Sequence, residues 1–178
     1  MTGTADPAMI ARWTLVVVTA LVVQIAVAAQ FPVAGTVLDF MVLVAICAAV
    51  VGGPQRGAIV GFACGLLYDL ARDGRLGLSA LAFSLVAFLV GMLLVSVLDI
   101  RRGLVALIVA LGSAAGELTY ALLGEVFGEH TLTHPRLWPI IGTIAVVNGV
   151  LAIPAIKISE WAEGPQEQPS TMMGAVDG

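Results

Sequence analysis

The sequence predicts an all-α polytopic membrane protein, a bundle of six transmembrane helices, and three observations carry that expectation. Of the 178 residues, 60% are hydrophobic and only 11% charged, with a mean hydropathy of +1.04. A soluble domain runs at about 45–50% apolar and roughly 25% charged, so this composition belongs in a bilayer. The apolar residues gather into runs close to the ~20 residues that an α-helix needs to cross a hydrocarbon core. Polar or Gly/Pro-bearing turns separate these runs, and every turn is too short to hold an extramembrane catalytic domain.

The elements follow in order. Helix 1 is expected over 13–29, opened by Arg12 and closed before Phe31-Pro32; no cleavage signature precedes a soluble remainder, so it reads as an uncleaved span. Helix 2 is expected over 37–51, with Asp39 near its start and Gly52-Gly53-Pro54 as its stop. Helix 3 covers 57–71 and is short for a span, open to being tilted, broken or half re-entrant. Arg72-Asp73-Gly74-Arg75 is a polar turn, followed by helix 4 over 78–98 and a hinge at Asp99-Ile100-Arg101-Arg102. Helix 5 is expected over 103–127 and helix 6 over 137–158, the latter interrupted by Pro154.

These elements give three regions: a cytoplasmic lead over 1–12, a transmembrane domain over 13–158, and a disordered acidic cytoplasmic tail over 159–178. Six spans put both termini on one side. With the N-terminus inside, Arg12, Arg56, Arg101, Arg102 and Lys157 face the cytoplasm against Arg72, Arg75 and Arg136 outside. The excess predicts cytoplasmic termini under the positive-inside rule. The net charge of -4 comes partly from Glu160, Glu163, Glu167 and Asp177 in the tail, and no basic run points to nucleic acid. Cys47 and Cys64 fall in apolar segments and read as small hydrophobic residues, not as a disulfide or metal pair.

One stripe organises the rest. Gly57, Gly61, Gly65 and Asp69 recur every four residues and therefore share one helix face. Three glycines allow close approach of another helix, and the stripe ends in a carboxylate that lipid would not tolerate. The face is thus expected to touch protein. Asp69 reads equally as an anchor for a partner or the Arg72/Arg75 loop and as a local helix end. Asp39 reads as first-turn stabilisation of helix 2, or, with Asp69, as one wall of a small polar pocket.

Glu117 is the deepest ionisable residue and must find a donor inside the bundle. Asn148, Tyr120 and Thr119 are the candidates. A buried structural hydrogen bond is favoured over a proton relay, because no second deep charge accompanies it. His130 and His134 have the spacing of a metal pair without a third ligand, and read as loop residues. No phosphate loop, HExxH sequence or nucleophile with a matched base is present, so neither an enzyme activity nor a cofactor is expected.

The segment 38–82 resembles the MreD family of bacterial rod-shape-determining membrane proteins. The resemblance rests on Leu38-Asp39, on Gly53-Pro54-Gln55-Arg56-Gly57, on Gly61-Phe62-x-x-Gly65-Leu66-Leu67-x-Asp69-Leu70, and on Leu76-Gly77-Leu78-x-Ala80-Leu81. It implies a non-enzymatic inner-membrane subunit of the cell-elongation machinery. The implied partners are MreC, MreB and the peptidoglycan synthase of RodA with a class B penicillin-binding protein. The positions carried by the resemblance are Asp39, Gly57, Gly61, Gly65, Asp69 and Gly77; Glu117 matches no family motif. A partner's transmembrane helix is expected on the glycine face. The family is also similar in fold to substrate-binding S components of energy-coupling-factor transporters, which supplies the alternative function of vitamin binding. An ion- or proton-coupled device at Glu117 is the third reading.

Overall fold

The computed structural model describes residues 6–28, 39–71, 76–95, 102–128, 132 and 135–165, and every regular element among them is helical. The elements are α1 (Pro7–Val23) running into a π-helical turn (Gln24–Ala28), α2 (Phe40–Ala71), α3 (Leu78–Val95), α4 (Arg102–Val126) and α5 (Leu137–Glu163). Four of these, α1, α2, α4 and α5, are long and apolar enough to cross a membrane, while α3 is apolar but shorter. Among the described residues the expected six helices appear as five continuous elements. The predicted helices 2 and 3 are the two limbs of α2, joined through a corner at Gly53.

The corner explains the discrepancy. Gly53 has φ 79° and ψ -174°, a backbone region open essentially to glycine alone. Pro54 follows in the first turn of the second limb, where its missing N–H removes no hydrogen bond. The bend is sharp enough to fold one limb back beside the other, since a Cβ placed on Gly57 would stand 2.5 Å from Ala49 Cβ. In a straight helix those residues would be about 12 Å apart.

The first limb is the centre of the bundle. Nine consecutive side chains, Met41 to Ala49, are buried. A helix apolar on every side must be surrounded by other helices. The neighbours come close because the residues between them are small: Gly112 and Gly116 of α4 lie against Ile46 and Val42, and Gly149 of α5 lies against Ala110 of α4. The second limb packs along α3, with Gly61 against Phe83 and Gly91 of α3 against Pro54. Large aliphatic side chains such as Leu93 and Val150 point outward, as in a bundle wetted by lipid tails.

Both ends of the chain move from their expected places. α1 begins at Pro7, capped by Asp6, whose carboxylate accepts from Ala8 N at 3.0 Å. α5 continues past Ile158 to Glu163, and Gly164 ends it with φ 79°, so residues 159–163 are helix and not tail. Residues 166–178, the Arg72 to Arg75 turn and both histidines, His130 and His134, lie outside the described residues.

Candidate functional site

A buried helix start must find acceptors for its first N–H groups within the protein. That demand builds the polar centre of this molecule. At the head of α2, Phe40 N donates to Gln24 Oε1 at 2.7 Å, and Met41 N and Val42 N donate to Asp39 Oδ1 at 2.8 and 3.1 Å. Asp39 is therefore an N-cap, with its charge at the positive end of the helix dipole. Gln24 is the first residue of the π-helical turn that ends α1, and it is buried.

Asp39 is an interior residue of the bundle. It is 1% exposed and touches the middle of α5. There Asn148 Nδ2 donates to the Asp39 carbonyl and to Ser113 Oγ, both at 3.0 Å. The carbonyl accepts only, which fixes the amide orientation. Both amide hydrogens are then spent, leaving none for Glu117, for which Asn148 was one of three candidate donors beside Tyr120 and Thr119. Glu117 stands one turn after Ser113 and is half-buried. Asn148 Oδ1 is buried with no hydrogen-bond partner among the described residues.

Asp69 has a separate task. Its carboxylate accepts from Gly77 N at 2.8 Å and Ser79 N at 3.1 Å, tying the end of α2 to the start of α3. Gly77 has φ 96°, so it turns the chain where that carboxylate can reach it. Asp39 and Asp69 thus serve different neighbours: one is turned to α5 and the α2 head, the other to the α3 turn.

The glycine stripe faces inward. A Cβ on Gly57 would meet Ala49 and the carbonyl of Ala87, one on Gly61 the backbone of Phe83 and Ser84, and one on Gly65 the backbone of Ser79 and Ala80. The face expected to receive a partner's helix already holds α3. Any partner would have to displace α3 to reach it.

At the opposite end a third polar cluster appears that the sequence did not announce. Glu163 accepts from Trp13 Nε1 at 2.9 Å and pairs with Arg56 at 3.1 Å, while Arg56 also reaches Met9 Sδ at 2.9 Å. Arg12 lies over the Trp161 ring at 5.7 Å. The start of α1, the corner of α2 and the end of α5 are therefore gathered at one end of the bundle. Glu163 was assigned to the tail; the signal that it continues a helix was the spacing Ala155, Ser159, Ala162, Glu163, which places one more inward-facing turn after Pro154. Gln24 was overlooked although it is the one amide in an otherwise apolar stretch.

Chemically, these groups join helices. Gln24, Asp39, Asp69, Asn148 and Glu163 each satisfy a backbone end, a neighbouring helix or an opposite charge, and among the described residues no three His, Cys, Asp or Glu side chains gather into a metal site. Together the fold and its polar ties define a multi-pass helical membrane protein with a structural interior. Residues 8–158 match the family model described as rod shape-determining protein MreD, and the chain belongs to that family. No curated protein and no solved structure matches it. Membership makes this a rod-shape-determining membrane protein of a structural, shape-determining family. The comparisons give no support to the S-component alternative.

Proposed function

We propose that this chain is a non-enzymatic scaffold subunit of the bacterial elongation machinery in the inner membrane, linking an MreC-like protein, MreB and the synthase of RodA with a class B penicillin-binding protein. The family match over 8–158 carries the reading. The interior supports it, because Asp39, Asp69, Asn148 and Glu163 are engaged in holding helices together. The two ends of the described chain meet at one end of the bundle through Trp13 and Glu163. Arg12, Arg56 and Lys157 lie toward that end, which favours cytoplasmic termini by the positive-inside rule. The two limbs of α2 each crossing in opposite directions would give six passes.

With the glycine face filled by α3, partner helices meet an outward face. Cross-linkable residues placed at Leu85 or Met92 on α3 and at Trp138 or Val150 on α5, all exposed, separate the candidates. In cells depleted of their own copy, this chain is expected to restore rod shape and to cross-link to an MreC-like protein or the synthase from one of these faces. Restored shape with no such cross-link from any of them would refute the scaffold role.

A further inference from the structure

A groove of about 320 Å³ opens on the outside of the bundle between α1, the first limb of α2 and α5. Its α1 wall is Leu15, Val16, Thr19 and Val23, and Ile158 and Trp161 of α5 form the opposite side. Arg12 precedes Leu15 and Val16 by three and four residues, so it shares their helix face and stands at the end of the groove. Its guanidinium lies over the Trp161 ring, 5.7 Å from the centroid. Tryptophan and helix-end arginine are the side chains expected at a membrane–water boundary. The groove thus runs from that boundary into the acyl region.

The charge balance at this boundary is asymmetric. Glu163 is taken by Arg56 and Trp13, and among the described residues Arg12 forms no ion pair. Glu160 faces a different groove, with Val105 and Ile156. An apolar slot ending in a cation without a carboxylate complements a molecule with a hydrocarbon chain and an anionic head. The lining is almost wholly apolar and the slot opens on the outside of the bundle, which suits an extended acyl chain. We propose that it binds one anionic phospholipid, with an acyl chain between α1 and α5 and the phosphate on the Arg12 guanidinium.

The test is titration of the full chain, purified in an uncharged detergent, with fluorescent phosphatidylglycerol, with phosphatidylcholine and with inorganic phosphate as a competitor. Saturable binding that prefers phosphatidylglycerol is expected. Arg12→Gln should weaken it about fivefold, the factor carried by one arginine at an anionic surface, and Arg12→Lys should retain most of it. Thr19→Phe places a ring on the exposed groove wall and should weaken binding with Arg12 intact, so it tests the groove even if Arg12→Gln does not fold. Equal binding of both lipids, unchanged binding in Arg12→Gln and Thr19→Phe, or full displacement by inorganic phosphate would each overturn the proposal.

Discussion

Substituting Gly61 with alanine tests the inward reading of the glycine stripe directly. The new Cβ would stand 2.8 Å from the Phe83 carbonyl oxygen, 3.0 Å from its carbon and 3.1 Å from Ser84 Cα. Optimal carbon contacts lie at about 3.5–4.0 Å, and all three neighbours are backbone atoms that no rotamer change can move. The two helices must therefore separate by several tenths of an ångström over a well-packed interface, at about 1–3 kcal/mol for such overpacking. Alanine regains about 0.5–1 kcal/mol of helix propensity, which leaves a net loss of up to about 2.5 kcal/mol. Gly142 on α5 is the control, since nothing lies within 4 Å of its added Cβ and the propensity gain acts alone. The assay is thermal unfolding in detergent with a thiol-reactive dye, because Cys47 and Cys64 are both fully buried and react only when the bundle opens. Gly61→Ala should melt several degrees below the parent and Gly142→Ala at or above it. A Gly61→Ala midpoint equal to that of Gly142→Ala would refute the close contact with α3.

Three further perturbations separate the remaining contributions. Gly53→Ala meets no atom within 4 Å, so its cost is backbone strain alone, about 1–3 kcal/mol, readable as a lower melting midpoint. Asp69→Ala removes the acceptor for Gly77 N and Ser79 N; at about 1 kcal/mol for a lost cap, hydrogen exchange should quicken at the start of α3 and stay unchanged at the α2 head. Asn148→Leu deletes the ties to Asp39 and Ser113, and interhelical hydrogen bonds in membranes average about 0.6 kcal/mol. The two ties together come to about 1.2 kcal/mol, so its midpoint should fall by a few degrees, and a much larger fall would mean that polar ties, not close packing, dominate the bundle.

The parts of this structure legible in the sequence are those set by neighbours along the chain. Glycines at four-residue spacing announce a close helix contact, and the Asp39 cap follows from a carboxylate just before an apolar helix. Gly53-Pro54 was correctly a place where the chain bends, yet it reads as a stop. A glycine that adopts a positive φ and a proline that needs no N–H leave two limbs touching at Ala49 and Gly57. What spacing could not show was the occupant of each face. Gln24 serves Phe40, Asn148 serves Asp39, and Glu163 serves Trp13, 150 residues away. Such pairings depend on which helices become neighbours, and one-dimensional periodicity identifies a face without identifying what lies against it.

This distribution of groups bears on how other subunits can bind. Lipid tails are as apolar as leucine, so burying Leu85, Leu93 or Val146 against a partner's helix gains little hydrophobic free energy. Favourable association within the bilayer comes from close packing at small residues and from interhelical hydrogen bonds. Here Gly57, Gly61 and Gly65 are committed to α3, and Asn148 and Ser113 to each other. A partner's helix must therefore bring its own small or polar residues to an outward face. Otherwise it must engage the end of the bundle, where Arg12, Arg56, Trp161 and Glu163 meet. Attraction at that end is electrostatic and screened over about 8 Å at physiological salt, so partner capture through it should weaken as ionic strength rises, whereas capture through an outward helix face should not.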